Sequence, residues 1–179
     1  MTQHEYIFIA VSIILGLAIT RLLHTMAMIT RAHDRVVFHW ASAIWGLSIL
    51  IFILQLWWIG WGLRAIETWT FFDFIILVFS SIFIYGAAEM ALSIPEDSPL
   101  DMLEHNQGLG RLSAFSMLLY FAVGPYVNIV LYENAILPSL VFPFIGGALM
   151  ILVIAMPRFF SLFSLLFAAY SLLILLLTV

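Results

Sequence analysis

Four ionisable side chains stand inside long apolar runs: Arg21, His24, His39 and Glu89. Such a group costs roughly 2.5–3.5 kcal/mol or more at the centre of a bilayer, so it normally faces a neighbouring helix or an aqueous cavity. Their types suggest specific chemistry. Glu89 and Arg21 could form an ion pair. The imidazoles of His24 and His39 titrate near neutral pH and could relay protons. With Glu89 they would make a two-histidine, one-carboxylate set suited to a divalent metal. The same two histidines could offer axial nitrogens to a haem. Counted at 1.5 Å per residue from the nearer helix ends, His24 lies roughly 9 Å deep, His39 roughly 5 Å and Glu89 roughly 8 Å. The expectation is one polar cluster, with Arg21 deeper.

Ser12, Gly16, Thr20 and His24 recur at steps of four, which reads as one small-residue face turned toward a neighbour. His39, Ser42, Ala43 and Gly46 make a matching face on the next apolar run. If Arg21 instead reached the headgroups, both histidines would be interfacial. A further feature is Gly124-Pro125, in the middle of an apolar run and followed by Asn128. Proline removes one helical hydrogen bond there. Broken helices at mid-membrane bind ions or polar groups through freed carbonyls, so Asn128 joins the candidate ligand or proton site. Pro138, Pro143 and Gly146-Gly147 interrupt the following run, by the same logic or as packing contacts.

Much chemistry is excluded. All six basic residues are arginine, so no lysine Schiff base or phosphate-loop lysine exists. Cysteine is absent, which removes disulfides and thiolate metal sites. The arginines are dispersed and the net charge is −4, so no nucleic-acid partner is expected. No potassium-filter motif occurs. His4-Glu5 lacks the second histidine of a zinc-protease motif, since Phe8 stands in its place. No enzyme activity is therefore expected.

These residues must be carried by membrane helices. Of the 179 residues, 65% are apolar and 9% charged, and mean hydropathy is +1.17. A soluble domain is about 45–50% apolar and 25% charged. A chain this short has too little interior to hide that surface from water. About 20 apolar residues cross the hydrocarbon. Six stretches qualify, at residues 5–30, 36–63, 70–94, 109–132, 136–156 and 158–179, in one all-α domain with no visible linker. The first run lacks a basic flank and cleavage site, so it reads as a retained helix. The two tight connections near residues 133–135 and 156–158 make the last three spans antiparallel neighbours.

Arg31, Arg35, Arg111 and Arg158 fall in odd-numbered connections and Arg64 on the other side. Basic residues favour the cytoplasmic face. Both termini are then expected outside, in a cytoplasmic (inner) membrane. Trp57, Trp58, Trp61 and Trp69 read as an aromatic belt at one interface, and Trp40 at the other. In the third connection, Ser98-Pro99 and Asp101 read as the start of a short surface helix over residues 99–105. Asp73 reads as interfacial, and Arg64 with Glu67 as a local pair.

Three functions fit. The foremost is movement of a small solute or ion, with or without proton coupling, through a site at Arg21, His24, His39, Glu89 and Asn128. The next is a structural subunit of a homo-oligomer or of a larger membrane assembly. The last is a metal- or haem-dependent membrane enzyme using His24, His39 and Glu89.

Overall fold

This computed structural model describes residues 2–93, 100–108 and 110–178. Its long helices are α1 (Gln3–Arg31), α2 (Trp40–Gly62), α3 (Phe71–Ala91), α5 (Gly110–Tyr126, continued by a π turn at Val127–Leu131), α6 (Ile136–Ala155) and α7 (Phe160–Thr178). A short α4 (Met102–Gly108) precedes α5. Six of the helical segments are long and apolar enough to cross a membrane, which makes the chain a multi-pass, all-α integral membrane protein.

Local chemistry sets where the helices begin. Thr2 and Glu5 form a capping box at α1, and Thr70 and Asp73 form another at α3. Each satisfies orphan backbone donors at a helix start. The second span starts later than the apolar run suggests. Val36 and Val37 pair with Leu100 and Asp101 in a two-stranded parallel ladder, β1 (Val36–Val37) with β2 (Leu100–Asp101). His39 then caps α2, its Nδ1 accepting from the Ala41 amide at 3.2 Å.

The helices close a ring: α1 packs on α3, α3 on α5, α5 on α6, α6 on α7, α7 on α2, and α2 back on α1 and α3. The last three spans are thus successive neighbours, as the tight connections predict. The core is aromatic on the α2–α7 side. Trp45, Phe160 and Phe167 are fully buried, and the Trp45 and Phe167 rings lie 4.8 Å apart. Buried hydrogen bonds cross between helices. Trp45 Nε1 donates to Ser113 Oγ at 3.0 Å, and Ser113 Oγ donates to Ala87 O at 2.8 Å, linking α2, α5 and α3.

Several expectations change. The short helix spans Met102–Gly108 rather than residues 99–105, with Asp101 Oδ1 accepting from the Leu103 and Glu104 amides. Ser98 and Pro99 lie outside the described residues. One side of this helix docks on the span ends: Met102 and Asn106 are buried, Ser42 Oγ donates to Met102 O and Asn106 Nδ2 to Ala91 O, while Glu104 and Gly108 stay exposed. Arg64 makes no pair with Glu67; its guanidinium lies 4.0 Å over the Trp61 ring, whose face attracts a planar cation. Trp40, Trp57, Trp58 and Trp61 are exposed at the helix ends, in keeping with an interfacial belt.

Candidate functional site

Arg21 and Glu89 do meet. Arg21 Nη2 lies 2.7 Å from Glu89 Oε1, and Tyr85 Oη donates to Glu89 Oε2 at 3.4 Å. This pair joins α1 to α3 near the end that carries Arg31, Arg35, Arg111 and Arg158. Arg21 Nε is buried without a partner among the described residues.

The histidines do not join it. His24 is exposed on the outer wall of α1, and His39 serves as a helix cap stacked on Trp40. Among the described residues no three histidine or carboxylate side chains gather as a metal-ligating group, so His24, His39 and Glu89 are not one. The haem reading loses the shared buried depth that it required. The cause is geometric. A step of four residues turns a helix by about 40° beyond a full circle, so three steps carry His24 about 120° away from Ser12. The packed face of α1 is instead Ile7, Val11, Leu15, Ala18, Leu22 and Thr25. Gly16, on the supposed small-residue face, has open space where a Cβ would stand.

Asn128 belongs to a different place. It sits in the π turn after Pro125, its Nδ2 donating to Gly124 O at 3.1 Å. A single extra residue in a helical turn opens the backbone ladder, and such bulges are frequent at functional sites. Beside it lies a cavity of about 110 Å³ between α2, α3, α5, α6 and α7. Gln55, Ser80, Tyr120, Asn128 and Tyr170 face it among apolar walls. Gln55 Nε2 is engaged by Ser171 O at 3.2 Å and Tyr170 Oη by Phe142 O at 2.7 Å. The Ser80 and Tyr120 hydroxyls have no hydrogen-bond partner among the described residues. Toward the arginine-rich end the chamber is walled by Phe52 and Phe121, which pack on Phe167 behind them with the three rings 5.3–6.5 Å apart.

Comparison with protein-family models, with curated proteins and with solved structures finds no match. The site must therefore be judged by its own chemistry.

Toward the end that carries both termini, an open cleft of about 640 Å³ is lined by Glu67, Asp73, Tyr126 and Glu133. Tyr126, Val130 and Leu131 line this cleft, while Gly124, Val127 and Asn128 of the same stretch line the chamber. Asp73 stands in the first turn of α3, at the outer end where its sequence position puts it, yet is only 6% exposed. Its Oδ1 accepts from Tyr126 Oη at 2.6 Å and its Oδ2 from Thr70 Oγ1 at 2.6 Å. One carboxylate thus completes a helix cap and latches α3 to α5. Along α3 it stands seven residues, roughly 10 Å, from Ser80.

Sequence reasoning missed Gln55, Ser80, Tyr120 and Tyr170 as site residues. The available signal was Gln55, Ser80 and Asn128 standing deep in three different spans.

At the arginine-rich end, His105 in α4 has its Nε2 buried without a partner among the described residues, and burial holds its imidazole below the ordinary 6.5. The folded chain then binds this proton less readily than the unfolded chain. Its contribution to stability is complete above pH 6.5 and is lost as pH falls through the depressed folded value. Thermal unfolding in detergent between about pH 8 and pH 5 should show that loss, and His105→Gln should flatten it.

Proposed function

We propose that this integral membrane protein binds a small polar solute in the chamber beside the α5 break and passes it across the bilayer. The observation that carries this reading is the convergence of Gln55, Ser80, Tyr120 and Asn128 on one cavity within an apolar slab. A polar group left unsatisfied in such surroundings costs roughly 1–3 kcal/mol by protein mutational measures. Two free hydroxyls there disfavour a purely structural role and favour an occupant. The acidic cleft supplies the approach, and the Tyr126–Asp73 bond stands at its rim. The phenylalanine floor closes the far side, so passage requires the helices that carry those rings to part, an event of gating rather than of open flow. The arginine bias supports a cytoplasmic position for the phenylalanine-floored side. Arg21–Glu89 is then a tie between α1 and α3 on that side, not a ligand.

Purified protein in liposomes should accelerate the passage of at least one small solute under an osmotic or ionic gradient. Ser80→Leu, which fills the chamber, should return the rate to that of protein-free vesicles. Ser81→Ala, one residue away and facing its own helix through a bond to Leu77 O, should not. Wild-type vesicles indistinguishable from empty ones across small neutral and ionic solutes would overturn the reading.

A further inference from the structure

The chemistry of the chamber goes further and names a class of solute; the assignment rests on the transport reading above. Among the described residues, no Asp, Glu, Arg or His lines the cavity. A bare charge brought there would lose its hydration with no countercharge to meet it, at a cost far above that of a neutral polar molecule. What the walls offer is specific. Asn128 Nδ2 and Gln55 Nε2 each spend one N–H on a carbonyl, leaving one amide N–H apiece as donors and Asn128 Oδ1 and Gln55 Oε1 as acceptors. Tyr170 Oη is likewise spent, on Phe142 O. Ser80 and Tyr120 bring hydroxyls that donate or accept. The unsatisfied demand is for a neutral molecule that both donates and accepts hydrogen bonds.

Size and shape narrow it. A volume of about 110 Å³ matches three to four waters at roughly 30 Å³ each, or one molecule of a few heavy atoms. The remaining walls are apolar and include the rings of Phe52, Phe121 and Tyr170, which suit a flat face. Phe52 stands edge-on to Phe121 with centroids at 5.3 Å, so the rings hold one another in place. We infer that the chamber is a site for a small, neutral, donor-bearing solute of the amide or urea class, selected against ions.

The test is a parallel set of gradients across proteoliposomes. Urea and acetamide are followed by light scattering, and sodium, potassium and chloride by ion-sensitive dyes. Urea and acetamide should equilibrate about tenfold or more faster than in protein-free vesicles, with all three ions unchanged. Tyr120→Phe removes one hydroxyl without removing ring volume, and Ser80→Ala removes the other. Each should slow urea about threefold or more. Ion flux without urea or acetamide flux would overturn this assignment and leave the transport reading standing. Flux of neither class would overturn both. Urea flux unchanged in both hydroxyl variants would place the path outside this chamber and overturn the assignment.

Discussion

Replacing Glu89 with leucine is expected to destabilise the protein more than replacing Arg21 and Glu89 together. The single change strands a guanidinium against hydrocarbon, where an unpaired arginine costs roughly 2.5–3.5 kcal/mol. The side chains are 30% and 35% exposed, so Arg21 keeps some freedom to reach toward the headgroups. That discounts the loss to about 2 kcal/mol. In Arg21→Leu with Glu89→Leu both charges are gone and both sites become apolar, a change that is often neutral for paired charges. Thermal unfolding in detergent should show the double variant recovering more than half of the loss. A double variant as unstable as the sum of the singles would mean that the two residues do not couple.

The second large effect is expected at Gly146. A Cβ there would stand 2.9 Å from the Phe121 ring, closer than packed carbons come. Phe121 cannot give way, because it is buried among Phe52, Tyr120 and Tyr170. Gly146→Ala should therefore push α6 off α5 and cost about 1–3 kcal/mol. It should also disturb the chamber, since Phe121 forms part of its wall. Gly60→Ala is the informative contrast. Its Cβ would overlap the Phe8 ring even more severely, but Phe8 is only half-buried and can swing aside. Gly16→Ala meets nothing and should stabilise α1 by about 0.5–1 kcal/mol through backbone entropy. The order of unfolding temperatures should be Gly16→Ala highest, then Gly60→Ala, then Gly146→Ala. Equal losses at Gly60 and Gly146 would contradict the role given to the locked Phe121 ring.

What the sequence revealed follows from how local each signal is. A membrane span is written in one continuous apolar run, so all six were legible. Arg21 and Glu89 were legible as partners because charge and depth alone nearly determine the pairing. His24 was misplaced by treating four-residue steps as a straight face. His39 was misplaced because the ladder from Val36 to Leu100 delays α2, and no local pattern announces a pairing across that distance. Asp73 carried a capping pattern with Thr70, yet its bond to Tyr126 depends on how α3 meets α5. The chamber is the extreme case. Gln55 engages Ser171 across 116 positions, and Ser80, Tyr120 and Asn128 come from two further spans. Each alone is an unremarkable polar residue, and only the ring of helices makes them neighbours.

Adjacent serines offer a direct probe of that chamber. Ser80 lines it, whereas Ser81 is wholly buried and donates to Leu77 O at 2.9 Å. The chain contains no cysteine, so a single introduced thiol reports without background. Only a thiol that meets water ionises to the reactive thiolate, while one in apolar surroundings stays protonated and inert. In reconstituted membranes at about pH 8, Ser80→Cys should react with a small neutral thiol reagent at least tenfold faster than Ser81→Cys, and added urea should slow it. Equal, slow reaction at both positions would mean that no wet chamber exists beside the α5 break.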